Sequence, residues 1–377
     1  MLIKPRAGQA AKIKVVGIGG GGGNALSSMI EEGGISGVEF VAINTDAQAL
    51  LHNKAPIKVQ IGENLTKGLG SGGDPETGRQ AAEESRDRIK EELEGADMIF
   101  LTCGEGGGTG TGASPIIAEI AKELGVLTIA VVTKPFDFEG TKRRINADDG
   151  ILKLKDNVDT LIIVPNQKIL HAIDKKTPVL EAFKRIDSVL HQGVKGIAEL
   201  ITTPGLINVD FADVKAIMSN AGTALMGMGI ASGEKRAIAA IKQAITTPLL
   251  DVSIEGAKGV LFNVVGGPDL TMSEVDEAAT IISKTVDADA DIIFGAVIDE
   301  KMMDQIKITI IATKFDDQRL RMFRFKNIPS ENTKKAEEEV KLQPPAEVTD
   351  EDVESTVEET ALEEDNEFDI PAFLRKK

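Results

Sequence analysis

The sequence predicts an α/β protein: a Rossmann-like, mostly parallel sheet flanked by helices in the first half, then one long central helix, then a smaller α/β part. Three observations predict it. β-rich runs alternate with helical stretches up to residue 165. A single apolar repeat at three- and four-residue steps runs from Val179 to Ile201. Strand and helix patterns then resume from residue 259 to residue 315.

Taken in order, residues 12–19, 38–44, 97–103, 126–133 and 159–165 read as strands. Several are apolar throughout instead of alternating, as a strand covered on both faces requires. Helices are expected between them at 24–33, 75–95, 114–125 and 143–157. Val179, Phe183, Ile186, Leu190, Val194, Ile197 and Ile201 then mark one face of a helix over 178–203, roughly 24 residues and on the order of 35 Å long at 1.5 Å per residue. Pro178 suits its first turn, and Pro204-Gly205 stops it. Phe183 and Asp187, four apart, share a face. A second helical region is expected at 211–222 and 233–245. Beyond it, 259–267, 290–299 and 305–315 read as strands around a helix at 271–286, which Thr271 and Glu274 open as a capping box.

Composition narrows the function. A chain of 377 residues that is 42% hydrophobic has material for two medium domains with real cores. One cysteine, Cys103, excludes an internal disulfide, and with the scattered His52, His171 and His191 it offers no metal-ligand spacing, so a reducing cytoplasm is expected. No run of eighteen apolar residues occurs and the start lacks a signal-peptide pattern, so no direct membrane insertion is expected. A net charge of −17 argues against a nucleic-acid partner, and the absence of Trp and Tyr argues against base-stacking platforms. Between Glu331 and Glu364 stand 13 acidic and 3 basic residues, a composition that reads as a disordered acidic linker. Phe368, Ile370, Phe373 and Leu374 then return at the end, where a solvated tail has no folding reason for them.

Two glycine clusters each follow an expected strand and lead into an expected helix: GIGGGGGNA (17–25) and TCGEGGGTGTGASP (102–115). Free amides and the helix macrodipole make such a turn an anion site. Gly17, Gly19 and Gly22 satisfy G-x-G-x-x-G, with Asp46 24 residues further on, so an NAD-dependent enzyme is one reading and a pair of tight turns without a ligand is another. The second, denser cluster, with Thr109 and Thr111 as hydroxyl donors, favours a triphosphate gripped from two sides. No Walker lysine follows it, so the phosphate charge has to be met by amides, a metal ion or groups elsewhere in the chain.

GGGTGTG (106–112) is joined by GGGGN (20–24), GLGSGGDPETG (68–78), TKPFDFEGTKR (133–143), VPNQ (164–167), GLINVDFADVK (205–215) and DIPAFLR (369–375), in that order. With these motifs the chain resembles the FtsZ proteins of the tubulin/FtsZ superfamily, the cytoskeletal GTPases of bacterial cell division, over nearly all of residues 12–315 and the tail. The resemblance implies a tubulin-like fold with a GTP-binding domain over 1–177, a central helix over 178–203, a C-terminal domain carrying the catalytic loop over 204–316, a linker over 317–364 and a partner-binding peptide over 365–377.

The resemblance also implies roles. Gly20, Gly21, Gly22, Gly23 and Asn24, with Gly107, Gly108, Thr109, Gly110 and Thr111, would cradle phosphates, and Gly72 and Gly73 would sense the γ-phosphate. Thr133, Pro135, Glu139 and Arg143 would meet the ribose and neighbouring groups. Asn166, Phe183 and Asp187 would hold guanine, Phe183 packing on the ring and Asp187 accepting from its N–H and amino group. On the residues alone, an ordinary helical ion pair is an alternative for Glu139 and Arg143, and Phe183 reads as a core position. Asn208, Asp210 and Asp213 would enter the site of the next subunit and position the attacking water and any cation, so that GTP is hydrolysed to GDP and phosphate where two subunits meet. On the residues alone, two acids opening a helix are caps or dipole partners.

GTP and GDP are the implied nucleotides and Mg2+ their implied companion. The implied partners are the chain itself, head to tail, and membrane-tethering and regulatory division proteins bound through Asp369, Ile370, Pro371, Phe373, Leu374 and Arg375. The implied location is cytoplasmic, at the division site on the inner face of the membrane. Cys103 and Glu105 depart from the family, where many members have a small residue and a Met, and a polymer that binds nucleotide without hydrolysing it stays open as an alternative. Cys103 is expected to be buried at a strand end. Glu105, which would repel phosphates, is expected to point away from them.

Overall fold

The computed structural model describes residues 11–174, 176–203, 205–207, 209–246 and 254–315. All five strands expected in the first half form, as β1 (Ile13–Ile18), β2 (Val38–Asn44), β4 (Met98–Gly104), β5 (Leu127–Lys134) and β6 (Thr160–Pro165), and a four-residue β3 (Ile57–Gln60) adds an edge. They pair in parallel in the order β3-β2-β1-β4-β5-β6. Between them lie α1 (Gly19–Glu31), α2 (Ala47–His52), α3 (Glu63–Thr66), α4 (Pro75–Glu84), α5 (Arg86–Leu93), α6 (Thr109–Glu123) and α7 (Thr141–Lys155). Successive strand side chains go to opposite faces. Val15 therefore joins the core under α1, while Val16 joins the core under α5 and α6.

The helix expected over 75–95 is two. Ser85 leaves helical geometry and its hydroxyl accepts from Gly62 N–H at 3.0 Å, a competing local bond of the kind serine favours. Asp74 caps the first piece by accepting from the amides of Glu76 and Thr77.

A short α8 (Asn166–Ala172) leads to α9 (Val179–Thr202), the long helix, whose 24 residues include Ile186, Leu190, Val194 and Ile197 in the core. Gly193 and Gly196 let it press against Met226 and Thr309 of strands from the second half. After α10 (Phe211–Met218) comes β7 (Gly222–Ser232), where the sequence predicts the end of one helix and only a loop. GTALMGMGIAS has almost no β-branched residues, so its propensity signal is weak. Tertiary packing decides instead: the missing side chain at Gly229 leaves room for α11 (Arg236–Thr246), with Ala240 O lying where a Cβ would stand.

Strand β7 joins two kinds of sheet. It runs parallel to β6 over Thr160–Ile162 and antiparallel to β10 (Gln305–Thr313). β10 then pairs with β8 (Gly259–Gly266) and β8 with β9 (Asp291–Ile298), giving one ten-stranded sheet, with α12 (Met272–Thr285) packed on its second half. Thr271 and Glu274 form the expected capping box. Buried Arg236 ties α11 to this cap, reaching Glu274 at 2.6 Å and Asp269 at 2.5 Å, and its guanidinium holds the Glu274 carboxyl down to about 2. No helix among the described residues is long and apolar enough to cross a membrane.

Candidate nucleotide site

The strand order reverses between β1 and β4, and α1 and α6 leave that point on opposite faces of the sheet. A crevice opens there beyond the carboxyl ends of the strands, the place where open α/β sheets take ligands. Both helices start inside their glycine clusters, earlier than the sequence suggests. Neither has a side-chain cap or an acidic residue in its first turn, so unpaired amides and two positive helix ends face the crevice. Gly19, at φ +69, lets the two clusters touch, since a Cβ there would stand 2.8 Å from Gly110 N. Gly20, Gly72, Gly73 and Gly107 have open space where a side chain would go, and Gly20, Gly21 and Asn24 are exposed, whereas Gly22, Gly23, Gly108 and Gly110 are buried behind them. A cavity of about 150 Å³ lined by Gly20, Gly23, Asn24, Ser27 and Asn53 adjoins the first cluster.

Hydroxyls brace this cradle from within. Thr109 Oγ1 bonds Thr45 Oγ1 at 2.7 Å and Ser71 Oγ at 3.0 Å, which fastens the Gly72-Gly73 loop to the head of α6. Thr45 and Ser71 lie outside every residue the sequence analysis singles out, although Ser71 sits inside the quoted GLGSGGDPETG. Thr111 Oγ1 accepts from Gly106 N–H at 2.8 Å and is buried, so it supports the loop and does not line the crevice.

The crevice wall beyond β5 and β6 is aromatic and polar. Thr133 and Pro135 are buried at the end of β5, and the Thr133 carbonyl accepts from Glu105 N–H at 2.9 Å. Glu139 pairs with Arg143 at 3.1 Å while accepting from Phe136 N–H at 2.8 Å. Phe183 is 44% exposed, which removes the core reading, and it meets Phe136 edge to face at 5.6 Å. Asn166 is buried with its Oδ1 lacking any hydrogen-bond partner. Asp187, one turn beyond Phe183, has its carboxyl raised to about 6 by burial first and then by the charge of Glu32. An open amide cradle, an unpartnered buried carbonyl and a half-buried carboxylate fit a guanine nucleotide, whose ring N–H and amino group supply donors. Asp46, the acid a dinucleotide fold would turn to a ribose, instead caps α2 by accepting from Ala49 N–H at 3.0 Å.

Asp210 and Asp213 stand elsewhere. Asp210 caps α10, accepting from Asp213 N–H at 2.8 Å, and Asp213 accepts in return from Asp210 N–H at 3.3 Å. Both line a cavity of about 400 Å³ with Ala11, which precedes β1, and with Leu200–Thr203 at the end of α9. They therefore lie at the amino-terminal edge of the parallel strands, opposite the glycine clusters. Asn208 and the tail residues Asp369, Ile370, Pro371, Phe373, Leu374 and Arg375 lie outside the described residues. Cys103 is buried at the end of β4, and Glu105 turns beneath the loop, away from the crevice, as expected.

Comparison with known proteins adds to this geometry. Residues 12–174 match the model of the Tubulin/FtsZ family GTPase domain, and residues 222–316 match that of the FtsZ family C-terminal domain. Among solved structures, an empty FtsZ dimer from M. jannaschii is 50% identical at a TM-score of 0.77, covering 80% of this chain and 88% of that one. A point mutant of M. jannaschii FtsZ is also 50% identical at 0.77, covering 81% and 91%. CetZ2 from Haloferax volcanii, a GTPγS-bound protofilament, is 22% identical with a TM-score of 0.69, covering 86% and 99%, and shares the fold.

Proposed function

The chain belongs to the Tubulin/FtsZ family and is a GTPase, and on that premise we propose that it assembles head to tail into filaments of the cell division ring, hydrolysing GTP at each subunit contact. The observation that carries this reading is the separation of the two half sites. The glycine clusters sit at one edge of the sheet, Asp210 and Asp213 at the other, and the 24-residue α9 spans between them, on the order of 35 Å. No single chain closes that distance. A second copy stacked in the same orientation does, bringing its Asp210 and Asp213 over the first copy's cradle, and because this contact is heterologous and open it repeats into a filament. The dimer of M. jannaschii FtsZ and the protofilament of CetZ2 support self-association of this kind.

In the proposed site the amides of Gly20–Asn24 and Gly107–Thr111 hold the phosphates, Gly72 and Gly73 follow the γ-phosphate, Thr133, Pro135, Glu139 and Arg143 surround the ribose, and Asn166, Phe183 and Asp187 select guanine. Asn208, Asp210 and Asp213 of the neighbour orient water for attack and stabilise the developing charge. Mg2+ is the proposed companion ion. Among the described residues no three His, Cys, Asp or Glu side chains gather to hold one, so it would rest mainly on the phosphates and water. GTP favours the contact and its loss weakens it. The acidic segment 317–364 spaces the filament from its attachment, and the peptide 365–377 docks on membrane-tethering and regulatory division proteins through its apolar side chains, which places the protein in the cytoplasm at the inner face of the membrane.

Measuring GTP turnover per subunit against protein concentration, with sedimentation alongside, tests the shared site. The rate per subunit is expected to rise steeply above the concentration at which protein first pellets. A rate per subunit that stays constant from dilute to concentrated protein would mean that each chain carries a complete site.

A further inference from the structure

Beneath the second glycine loop lies a carboxyl group to which the nucleotide reading gives no task. Glu105 directly follows β4, and its side chain is only 2% exposed. Its Oε1 accepts from the Cys103 thiol at 3.2 Å and the Ser114 hydroxyl at 3.4 Å, while Oε2 has no hydrogen-bond partner. The Thr111 hydroxyl lies beside it, and Gly150 of α7 closes the chamber, since a Cβ there would stand 2.6 Å from Oε2. Cys103 from β4, Ser114 and Thr111 from α6 and Gly150 from α7 are the groups that face it, and no cation contributes to its surroundings. An ionised carboxylate needs several donors on both oxygens, and a thiol, a hydroxyl at 3.4 Å and the neighbouring Thr111 hydroxyl, with Oε2 left unpartnered, are a poor substitute for water. The chamber therefore suits the neutral acid, and burial pushes Glu105 up to about 7. Burial first, and then the Glu105 charge, pushes the Cys103 thiol well above its ordinary range, so Glu105 is the group of this pair that titrates near neutrality.

The loop overhead is fastened at this point. Glu105 N–H bonds Thr133 O, Gly106 N–H bonds Thr111 Oγ1, and Gly106, at φ +97, lies close against Arg143. Gly107, two residues from the carboxyl, opens on the crevice. A charge formed below the loop thus acts on the cradle in two ways: it strains an anchor that lacks donors for it, and it repels phosphate through a low-dielectric layer.

We propose that Glu105 is a positioning residue that serves this GTPase as a neutral acid, its proton seating the loop Gly106–Gly108 for nucleotide phosphates and the loss of that proton loosening their hold. The inference rests on the assignment of this loop to the phosphates. Nucleotide binding then weakens on the alkaline side, and binding above neutrality draws a proton back onto Glu105.

The test uses the full chain with GDP as the probe, binding being measured from pH 6.5 to 9 for the wild type and for Glu105→Gln. The ratio of the two dissociation constants cancels the titration of GDP itself. That ratio is expected to change several-fold across pH 7 to 8.5, the variant holding tighter on the alkaline side. With GTP, the same change should appear in KM, with kcat at saturation moving by less than about twofold. A ratio that stays flat with pH would overturn the proposal. Should Glu105→Gln fail to fold, Glu105→Met, equally unable to ionise, carries the same expectation. The infrared band of a protonated carboxylic acid, taken as the difference between wild type and Glu105→Gln so that Asp187 cancels, reads the proton directly: the difference band should be present at pH 6 and gone by pH 8.5, and its absence at pH 6 would sink the idea. Gly107→Ala separates the underlying assignment. Loss of GDP binding at every pH is expected, and unchanged binding would mean that the loop does not hold phosphates at all.

Discussion

At the scale of single residues, Asp187 carries the most direct consequence for binding. Its carboxyl is raised from an ordinary 3.8 to about 6 by burial and by Glu32, whose own Oε2 meets His191 Nδ1 at 2.5 Å. As the proposed acceptor for the guanine N–H and amino group, it works only when ionised. The Asp187 contribution to GTP affinity is therefore expected to be complete above about pH 7 and to be lost as pH drops through about 6, approaching tenfold per unit below that. Asp187→Asn should flatten this acid limb and weaken binding at pH 7.5 by about ten- to a hundredfold, since a hydrogen bond to a charged group contributes about 1.5–3 kcal/mol. Titration calorimetry with GDP from pH 5 to 7.5 reads both effects as the ratio of wild-type to variant dissociation constants, which cancels the titration of GDP, and a ratio that stays flat with pH would refute the assignment. This limb lies on the opposite side of neutrality from that of Glu105, so the two groups separate in one pH series. The glycine clusters and the Glu139–Arg143 ion pair were legible as residue types at motif spacing, whereas Phe183, which read as core on periodicity alone, and Asp187 entered the proposed site through the family resemblance. What could not be read was burial. The inward turn of Thr111 and the chamber around Glu105 depend on Gly150, far along the chain on α7, and the unpartnered oxygen of Asn166 depends on a burial that its motif does not show.

At the scale of elements, periodicity served well where it was long. The repeat in α9 marks a helix of 24 residues, with Val194 and Ile197 fully buried and the proposed guanine-facing Phe183 left at the exposed end. It served poorly where short-range chemistry or packing decided. Ser85 divides α4 from α5 through a bond to Gly62, and β7 is a strand because β6 and β10 pair with it, not because Gly-Met-Ala sequence favours one. The capping box of α10 shows how one pair of acids holds two readings at once. Asp210 and Asp213 do cap the helix, and their proposed catalytic role adds to that. The two contributions separate by substitution. Asp210→Ala removes the cap acceptor and is expected to cost about 1 kcal/mol of stability. Asp210→Asn keeps a cap of equal quality and should unfold with the wild type. Both should lower GTP turnover about a hundredfold or more while leaving GTP binding nearly intact. Urea midpoints, GDP binding and phosphate release distinguish these outcomes, and normal turnover in Asp210→Asn would reduce the acid to its cap.

At the scale of the whole molecule, the sequence implied two α/β parts, and the fold joins them more closely than composition alone suggests. β7 shares three residue pairs with β6 and eight with β10, so one sheet runs through both halves. That continuity was hidden because β7 itself was. The tail belongs to this scale too, since its proposed work concerns the assembled polymer. Deleting residues 365–377 is expected to leave GTP turnover and sedimentation unchanged while abolishing capture by membrane-tethering division proteins, as a co-sedimentation assay would record. A truncated protein unable to pellet with GTP would instead give the peptide a place in the filament. The placement of the glycine clusters and of Asp210 at opposite edges of one sheet also sets a stoichiometry. In a stack of subunits arranged as proposed, every internal junction is a complete enzyme, but one terminal subunit presents a nucleotide with no acids above it and the other presents acids with no nucleotide below. The number of working sites is always one fewer than the number of chains. A pair of subunits therefore runs at half the limiting rate per chain, and the two ends of the polymer are chemically unlike, one able to exchange its nucleotide with solvent and the other with none exposed to exchange.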